Sequence, residues 1–198
     1  MHKKHFISFL FVLLFCFVCC SSSALGKDLG YKWNQKTIYF NCELPSSQRM
    51  AVSQAFVKWN NVRASDGQVM LNLYLALDSV TTPNVIKYSD LDWGVIGLCV
   101  PNPTSGNLSS VTILLDSGTS WSTGTSSNSY NLQSVVEHEL GHAIGIAHCH
   151  ELDSSYGEGP CWSATCKSNV MYPRIKSNQV KTTLTDYDIS SYRLIYEF

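Results

Sequence analysis

The chain has 198 residues, of which 44% are hydrophobic and 15% charged, with 14 Lys and Arg residues against 15 Asp and Glu. This length suits one globular domain with a proper core, and the apolar fraction excludes a disordered chain. A formal net charge of -1 offers no basic surface for a phosphate backbone, so we expect no nucleic-acid partner.

The first 26 residues have the layout of a secretory signal peptide. Two lysines near the start precede an apolar run that ends at Cys20, and small residues follow it. This run of about 15 residues is shorter than the roughly 20 that cross a membrane as a helix. We therefore predict a signal peptide over 1–26, a single secreted domain over 27–198 and no transmembrane span after cleavage. An uncleaved signal anchor and a lipid anchor on Cys20 are the alternatives.

Short apolar runs predict the strands of the domain. Runs that are β-branched, aromatic or alternating indicate strands at 37–40, 69–77, 85–88 and 111–115. The glycine-punctuated stretch 94–100 predicts an edge strand or a loop near a ligand. A surface loop rich in Ser, Thr, Gly and Asn follows over 117–131.

Three segments show helical periodicity. The first opens at Ser46 as a plausible N-cap and carries apolar residues at three- and four-residue spacing. The second runs over 132–147 with Asn131 as its cap, and the third over 185–196. Three helices interleaved with about five strands predict a mixed α/β (α+β) fold.

The cysteine count suggests disulfides. Three of the eight cysteines fall in the predicted leader, and five follow it. Five thiols in an oxidising compartment suggest two disulfides and one left over, and the sequence alone does not pair them. The five are Cys42, Cys99, Cys149, Cys161 and Cys166.

The chemistry lies on the middle helix, which reads HELGHAIGIAH from His138 to His148. A spacing of four places His138 and His142 on one helix face, so that both imidazoles can reach one metal ion. Glu139 lies beside the first of them, where it can contact a metal-bound water without ligating the metal. A sharp turn at Gly145 would bring His148 round as a third ligand. Three imidazoles with one open position form the catalytic type of zinc site.

The alternative is that these histidines only fill or cap a helix end. All four histidines that follow the predicted leader lie between 138 and 150, and scattered surface histidines would not cluster in this way. We interpret His150 as a solvated neighbour of the site rather than a ligand.

The string HELGHAIGIAH resembles the extended zinc motif of the metzincin metalloendopeptidases, and further stretches resemble their matrixin branch. NVMYP at 169–173 is similar to the family's Met-turn, in which Met171 would lie beneath the metal. LTDYDI at 184–189 resembles the C-terminal helix, where Asp188 would bond back to the Met-turn. The resemblance runs in order from Trp33 to Tyr196.

This resemblance implies a metzincin fold: a twisted, mostly parallel sheet of about five strands with three helices, the active-site helix ending at the zinc. It also implies a secreted, monomeric endopeptidase with one catalytic Zn²⁺ that hydrolyses extended protein or peptide substrates, with Glu139 as the base. The substrate would lie along the edge strand and against the Met-turn exit, which shapes the pocket beyond the cut. The substrate-binding residues so implied are Gly97, Leu98, Cys99, Tyr172 and Pro173. The other class of function is an exported binding or adhesion module with little or no proteolysis.

The chain also departs from the family pattern. No histidine precedes His138 after the leader, so the family's structural zinc site is not expected. We interpret Asp90 and Asp92 as a solvated acidic loop, with a weakly supported Ca²⁺ site as the alternative. The family's cysteine-switch prodomain is not expected, so the enzyme is either active from the start or capped by Asp28 at the zinc.

An insertion separates the third histidine from the Met-turn and carries three of the cysteines. We hypothesise that a disulfide from Cys149 to Cys161 or Cys166 staples this insertion beside the cleft. Cys42 with Cys99 is then the residual pairing, which would tie the first strand to the edge segment.

Overall fold

A computed structural model describes residues 28–77, 80–149 and 164–197 of the chain. The predicted signal peptide over 1–26, His150 and Cys161 lie outside the described residues. None of the helices in the described ranges has the length and apolar character needed to cross a membrane.

The centre of the fold is a five-stranded, mostly parallel sheet. Its strands are β1 Thr37–Cys42, β2 Asn72–Leu75, β3 Val85–Ser89, β4 Gly97–Thr104 and β5 Asn107–Asp116. Their order across the sheet is β2-β1-β3-β5-β4, and every pair is parallel except β4 with β5. A second sheet consists of two short parallel strands, β6 Trp121–Ser122 and β7 Tyr130–Asn131. The mixed α/β fold with a mostly parallel sheet is therefore confirmed.

Alternating side chains place one face of the sheet in the core. On β5, Val111, Ile113 and Leu115 are buried and point to the same side, as residues two apart on a strand do. β4 lies at the edge of the sheet and pairs only with β5 within the described ranges, so the predicted edge strand is confirmed. Its outer edge is where the chain can receive another strand.

In the parts of the chain that the structure describes, four α-helices accompany the sheet: α1 Arg49–Asn60, α2 Leu132–Ala143, α3 Ala164–Ser168 and α4 Asp186–Tyr196. The short α3 lies in the predicted insertion and has no counterpart among the three expected helices. α1 and α2 contact each other, and α2 also contacts β4 and β5. The motif helix therefore packs against α1 and against the β5–β4 side of the sheet.

Several predicted boundaries were wrong: the strand predicted over 69–77 covers only Asn72–Leu75, the one predicted over 111–115 begins at Asn107, and two helix ends differ. Ser46 begins a 3-10 turn after Pro45, and α1 starts only at Arg49, behind Gln48, whose side chain makes no capping hydrogen bond. α2 ends at Ala143 rather than at 147, because Gly145 takes a positive φ of 91° that a continuing helix does not allow.

Trp59 of α1 joins the two central helices and α4. Its fully buried indole donates a hydrogen bond from Nε1 to the Glu137 carbonyl of α2 at 2.9 Å. The same ring meets Tyr192 of α4 edge-on, with 5.7 Å between ring centroids. Burying such a large side chain contributes about 3–5 kcal/mol, so this contact fixes α2 relative to its neighbours.

Candidate metal centre

The start of α2 is capped as the sequence predicts. The Asn131 side-chain oxygen accepts hydrogen bonds from the Ser134 N–H at 2.9 Å and from the Ser134 hydroxyl at 2.7 Å. This satisfies one of the free N–H groups of the first turn. The helix then runs unbroken through His138 and His142, which lie one turn apart on the same face.

A tight turn ends α2 and redirects the chain. The Ile146 N–H donates to the Gly141 carbonyl and the Gly145 N–H donates to the His142 carbonyl, both at 2.9 Å. This is the Schellman arrangement, with Gly145 in the left-handed region. A β-carbon on Gly145 would also overlap the Tyr31 carbonyl. Both the positive φ and this close contact therefore require glycine at this position. The turn brings His148 back over the helix.

The three histidines of the motif converge at their Nε2 atoms. The Nε2 of His148 lies 3.1 Å from that of His138 and 3.0 Å from that of His142. Within the described residues, these three form the one group of His, Cys, Asp or Glu side chains able to share a metal ion. Glu139 does not belong to the group.

Hydrogen bonds to carbonyl groups orient two of the rings. Nδ1 of His138 lies 2.7 Å from the Val170 carbonyl, and Nδ1 of His142 lies 2.8 Å from the Ile146 carbonyl. A carbonyl can only accept, so both Nδ1 atoms carry the proton and both Nε2 atoms keep a lone pair. This is the tautomer that a metal ligand needs, and the backbone partners fix its direction.

Burial also keeps the imidazoles neutral. It lowers the pKa of His138 well below its usual range, lowers the pKa of His142, and lowers the pKa of His148 to about 4. Neutral imidazoles can bind a metal at pH 7 without first losing a proton. The donor set of three neutral nitrogens therefore fits a divalent metal of the zinc type.

Glu139 lies at the wall of the same cleft with only 5% of its surface exposed. Burial raises the pKa of its carboxyl to about 8, and a hydrogen bond from the backbone of Cys99 opposes the shift. A carboxyl with such a pKa can exchange a proton near neutral pH, as a general base and acid must. Gly97 allows this arrangement, because a β-carbon there would lie 2.6 Å from Oε1 of Glu139.

Met171 is fully buried, and its sulfur lies against Gly141 of α2, one residue before His142. The turn that carries it is held by Asp188, whose two carboxylate oxygens each accept a backbone N–H at 3.0 Å, from Val170 and from Met171. Asp188 thus bonds back to this turn as the resemblance implies. The Val170 carbonyl in turn orients His138, so the turn is connected to the metal centre.

We expect Gly141→Ala to destabilise the protein, because the added methyl would overlap the Met171 sulfur and lie 3.1 Å from the buried Trp59 ring. Overpacking costs about 1–3 kcal/mol, partly offset by about 1 kcal/mol of helix propensity. Thermal unfolding should show a loss of about 2–8 °C. Gly124→Ala, in open space, is the control. Equal melting temperatures for the two variants would contradict the close contact.

A cleft of about 1070 Å³ contains the three histidines and Glu139. All five predicted substrate-binding residues line it: Gly97, Leu98, Cys99, Tyr172 and Pro173. Their contact with a substrate stays a prediction. Arg174, the end of the Met-turn exit, lines the cleft as well, whereas the sequence analysis missed Trp93 and Lys181. No motif carried them, because they lie in loops whose course depends on tertiary packing.

The amino-terminal segment closes over the end of α2. The Leu29 N–H donates to the Gly145 carbonyl at 2.7 Å, the Tyr31 hydroxyl to the His142 carbonyl at 3.2 Å, and Trp33 Nε1 to the Ala143 carbonyl at 2.8 Å. Asp28, the alternative zinc cap, is exposed and accepts a hydrogen bond from the Gly30 N–H. It does not belong to the histidine group. Calcium binding at Asp90 and Asp92 stays a prediction.

Both predicted cysteine pairings were wrong. Cys42 on β1 and Cys99 on β4 are free thiols, and two strands separate β1 from β4 in the sheet. That spacing is roughly 14 Å, more than twice what a disulfide can bridge. Cys149 is also a free thiol, with its sulfur 3.5 Å from that of Cys166. Cys166 is disulfide-bonded, and the other candidate partner, Cys161, lies outside the described residues.

A second buried carboxyl lies on α2 away from the cleft. Glu137 is fully buried, and among the described residues its Oε1 has no hydrogen-bond partner. Burial raises the pKa of this carboxyl to about 8, whereas an unfolded glutamate titrates near 4.3. The folded chain therefore holds a proton that the unfolded chain loses between these two values, and stability falls as pH rises through that window.

We expect Glu137→Gln to remove this pH dependence, because glutamine does not ionise. Wild type and variant should melt at similar temperatures near pH 5, and the variant should melt about 3–10 °C higher at pH 8. Thermal unfolding followed by circular dichroism over this pH range measures the difference. A constant gap between the two curves would contradict a buried, protonated Glu137.

Comparison with known proteins gives two matches. The matrixin family model of M10 peptidases matches residues 96–156. The chain is also similar to a metalloendoproteinase described as 2-MMP from Arabidopsis thaliana, with 24% identity over 186 residues. That alignment covers 86% of this chain and 41% of the relative, so the chain spans about two fifths of the relative's length. The matched family segment contains the edge strand β4 and all three histidines.

Proposed function

We propose that this chain, a matrixin-type metzincin metallopeptidase, acts as a secreted zinc-dependent endopeptidase. The observation that carries the proposal is the convergence of three Nε2 atoms beside a buried glutamate, in a cleft bordered by an open sheet edge. Secretion rests on the predicted signal peptide over 1–26.

The zinc would be held by the Nε2 atoms of His138, His142 and His148. Hydrogen bonds from Nδ1 orient the first two rings, and burial keeps the His148 ring neutral. When bound, zinc supplies Lewis acidity that polarises the substrate carbonyl and lowers the pKa of water. The protein's contribution is a fixed set of ligands, oriented by the Val170 and Ile146 carbonyls.

Glu139 is the proton carrier of the reaction. Its carboxylate takes a proton from the attacking water and passes it to the nitrogen of the leaving amine. Burial raises the pKa of this carboxyl, and the charge of a cation held by the neighbouring histidines would lower it again, which keeps the carboxylate available as the base. The Cys99 backbone holds the side chain against β4, so the proton is moved at a fixed place in the cleft.

The substrate would bind as an added strand along β4. Gly97, Leu98 and Cys99 lie on the cleft side of this edge strand, and Leu98 is 43% exposed. Backbone hydrogen bonds to an extended peptide give affinity without a charged recognition motif. Tyr172 and Pro173 line the opposite wall, so the peptide would lie between the sheet edge and the turn that follows Met171.

The test is metal content together with cleavage of a denatured protein such as casein. We expect about one zinc per chain, and cleavage that a chelator abolishes and added zinc restores. Zinc at this stoichiometry with no cleavage of any denatured protein would contradict the endopeptidase and favour the binding module. Cleavage that survives complete removal of the metal would contradict the metal-dependent reaction.

A further inference from the structure

A buried lysine lies in the wall of the proposed active-site cleft. Lys181 is only 8% exposed and belongs to the segment between the Met171 turn and α4. Its backbone N–H donates to the Ser134 hydroxyl of α2 at 2.8 Å. Ser134 precedes His138 by about one helical turn, so this bond fixes Lys181 next to the metal centre.

The ammonium group of Lys181 retains donors for a ligand. Nζ donates one hydrogen bond to the Arg174 carbonyl at 3.1 Å and lies 4.8 Å from the centre of the Tyr172 ring. An ammonium has three N–H donors, and the carbonyl takes one of them. The ring face and the carbonyl position the group without neutralising its charge.

No carboxylate of the described residues lies within ion-pair distance of Nζ. The charge of Asp188 does act on Lys181, but its two oxygens accept hydrogen bonds from Val170, Met171 and Thr185. Burial lowers the pKa of the Lys181 ammonium, which is the expected cost of a cation withdrawn from water. The Cys149 thiol also acts on Lys181, so its acidic neighbours are Cys149 and Asp188, and within the described residues neither forms a direct ion pair with Nζ.

The charges around the cleft are divided between its walls. Glu139 is the one acidic residue among those of the described chain that line it, and it stands on the β4 side. Lys181 and Arg174 line the side of the Met171 turn. This part of the cleft lining therefore combines the Tyr172 ring with the positive charge of Lys181.

We propose that Lys181 is a specificity-determining residue that binds the carboxylate of an acidic substrate side chain following the scissile bond. The inference rests on the proposed endopeptidase function and names its substrate class: peptides with Glu or Asp at that position. The Tyr172 ring contacts the methylene part of the side chain, and the Nζ group binds the carboxylate. Charge-assisted hydrogen bonds in a desolvated site are strong enough to discriminate tenfold or more.

The experiment uses fluorogenic peptides that differ only in the residue after the cut, which is Glu, Gln or Leu. Wild type should cleave the Glu peptide with a kcat/KM about ten- to a hundredfold above that of the Gln peptide. Moving the glutamate to the residue before the cut should remove the advantage. Equal or better cleavage of the Gln and Leu peptides would overturn the inference while leaving the endopeptidase function intact.

Variants separate charge recognition from a structural role. Lys181→Met should lose the Glu preference and cleave the Leu peptide at least as well as wild type, whereas Lys181→Arg should keep the preference. Lys176→Met, at an exposed position on the same loop, is the matched control. An unchanged Glu-to-Gln ratio in Lys181→Met would overturn the inference.

Three results keep the test decisive. If Lys181→Met does not fold, the Glu-to-Gln ratios of kcat/KM for wild type and Lys181→Arg decide. Loss of the Glu preference in a Lys181→Arg variant with an unchanged melting temperature would overturn charge recognition. Failure of wild type to cleave any peptide or casein, with zinc bound, would overturn the proposed function itself. A strong Leu preference with normal turnover would overturn only the assignment to Lys181.

Discussion

Glu139→Ala is expected to retain the metal and lose peptide hydrolysis. The side chain is not part of the histidine group, so its removal leaves the three Nε2 ligands in place. A positioned general base contributes about 10² to 10⁴ in rate, and we expect kcat to fall by that factor. Zinc content by atomic spectroscopy and turnover of a fluorogenic peptide measure the two effects separately.

Glu137→Gln is the matched control for this experiment. Both glutamates are buried on α2, flank His138, and have a pKa that burial raises to about 8. Only Glu139 lines the cleft. The control should therefore retain wild-type turnover at neutral pH, and cleavage by Glu139→Ala at the rate of wild type would refute the assigned role.

Asp188→Ala is expected to have the largest effect on stability. The fully buried carboxylate accepts hydrogen bonds from the N–H groups of Val170, Met171 and Thr185 and from the Thr185 hydroxyl. Alanine would leave several of these donors buried without a partner, at a total cost of about 3–5 kcal/mol. We expect the melting temperature to fall by roughly 6–20 °C.

The same variant should weaken metal binding. Without Asp188 the turn that carries Val170 loses two of its hydrogen bonds, and the Val170 carbonyl no longer holds the His138 ring. Loss of such an orienting partner typically lowers metal affinity ten- to a hundredfold. Asp186→Ala, exposed in the first turn of the same helix, is the control and should change stability by under about 1 kcal/mol. Similar losses in both variants would contradict the role of the buried carboxylate.

Local sequence signals predicted the elements that position the metal centre. Asn131 caps α2, the four-residue spacing places His138 and His142 on one face, and Gly145 ends the helix in a left-handed turn. Each of these depends on a few neighbouring residues, so the sequence alone carries the information. The strands were predictable for the same reason, since the apolar run at 111–115 and the alternation at 69–77 are local signals.

Features that depend on distant parts of the chain escaped prediction. The pairing of Cys42 with Cys99 was ruled out by a strand order that places β3 and β5 between them, and strand order is a property of the whole fold. Lys181 looks like an ordinary surface lysine in the sequence, and only its bond to Ser134, 47 residues away, shows that it lines the cleft. Tertiary packing, rather than local propensity, decides such positions.

The contacts of the amino-terminal segment have a consequence for the order of folding. Tyr31 and Trp33 bind carbonyls of α2 that lie 111 and 110 residues further along the chain. Contacts of such long sequence separation form slowly, because the closure of a long loop must come first. We therefore expect the amino-terminal segment to dock on the end of α2 among the last events of folding, after the helix and the sheet have formed.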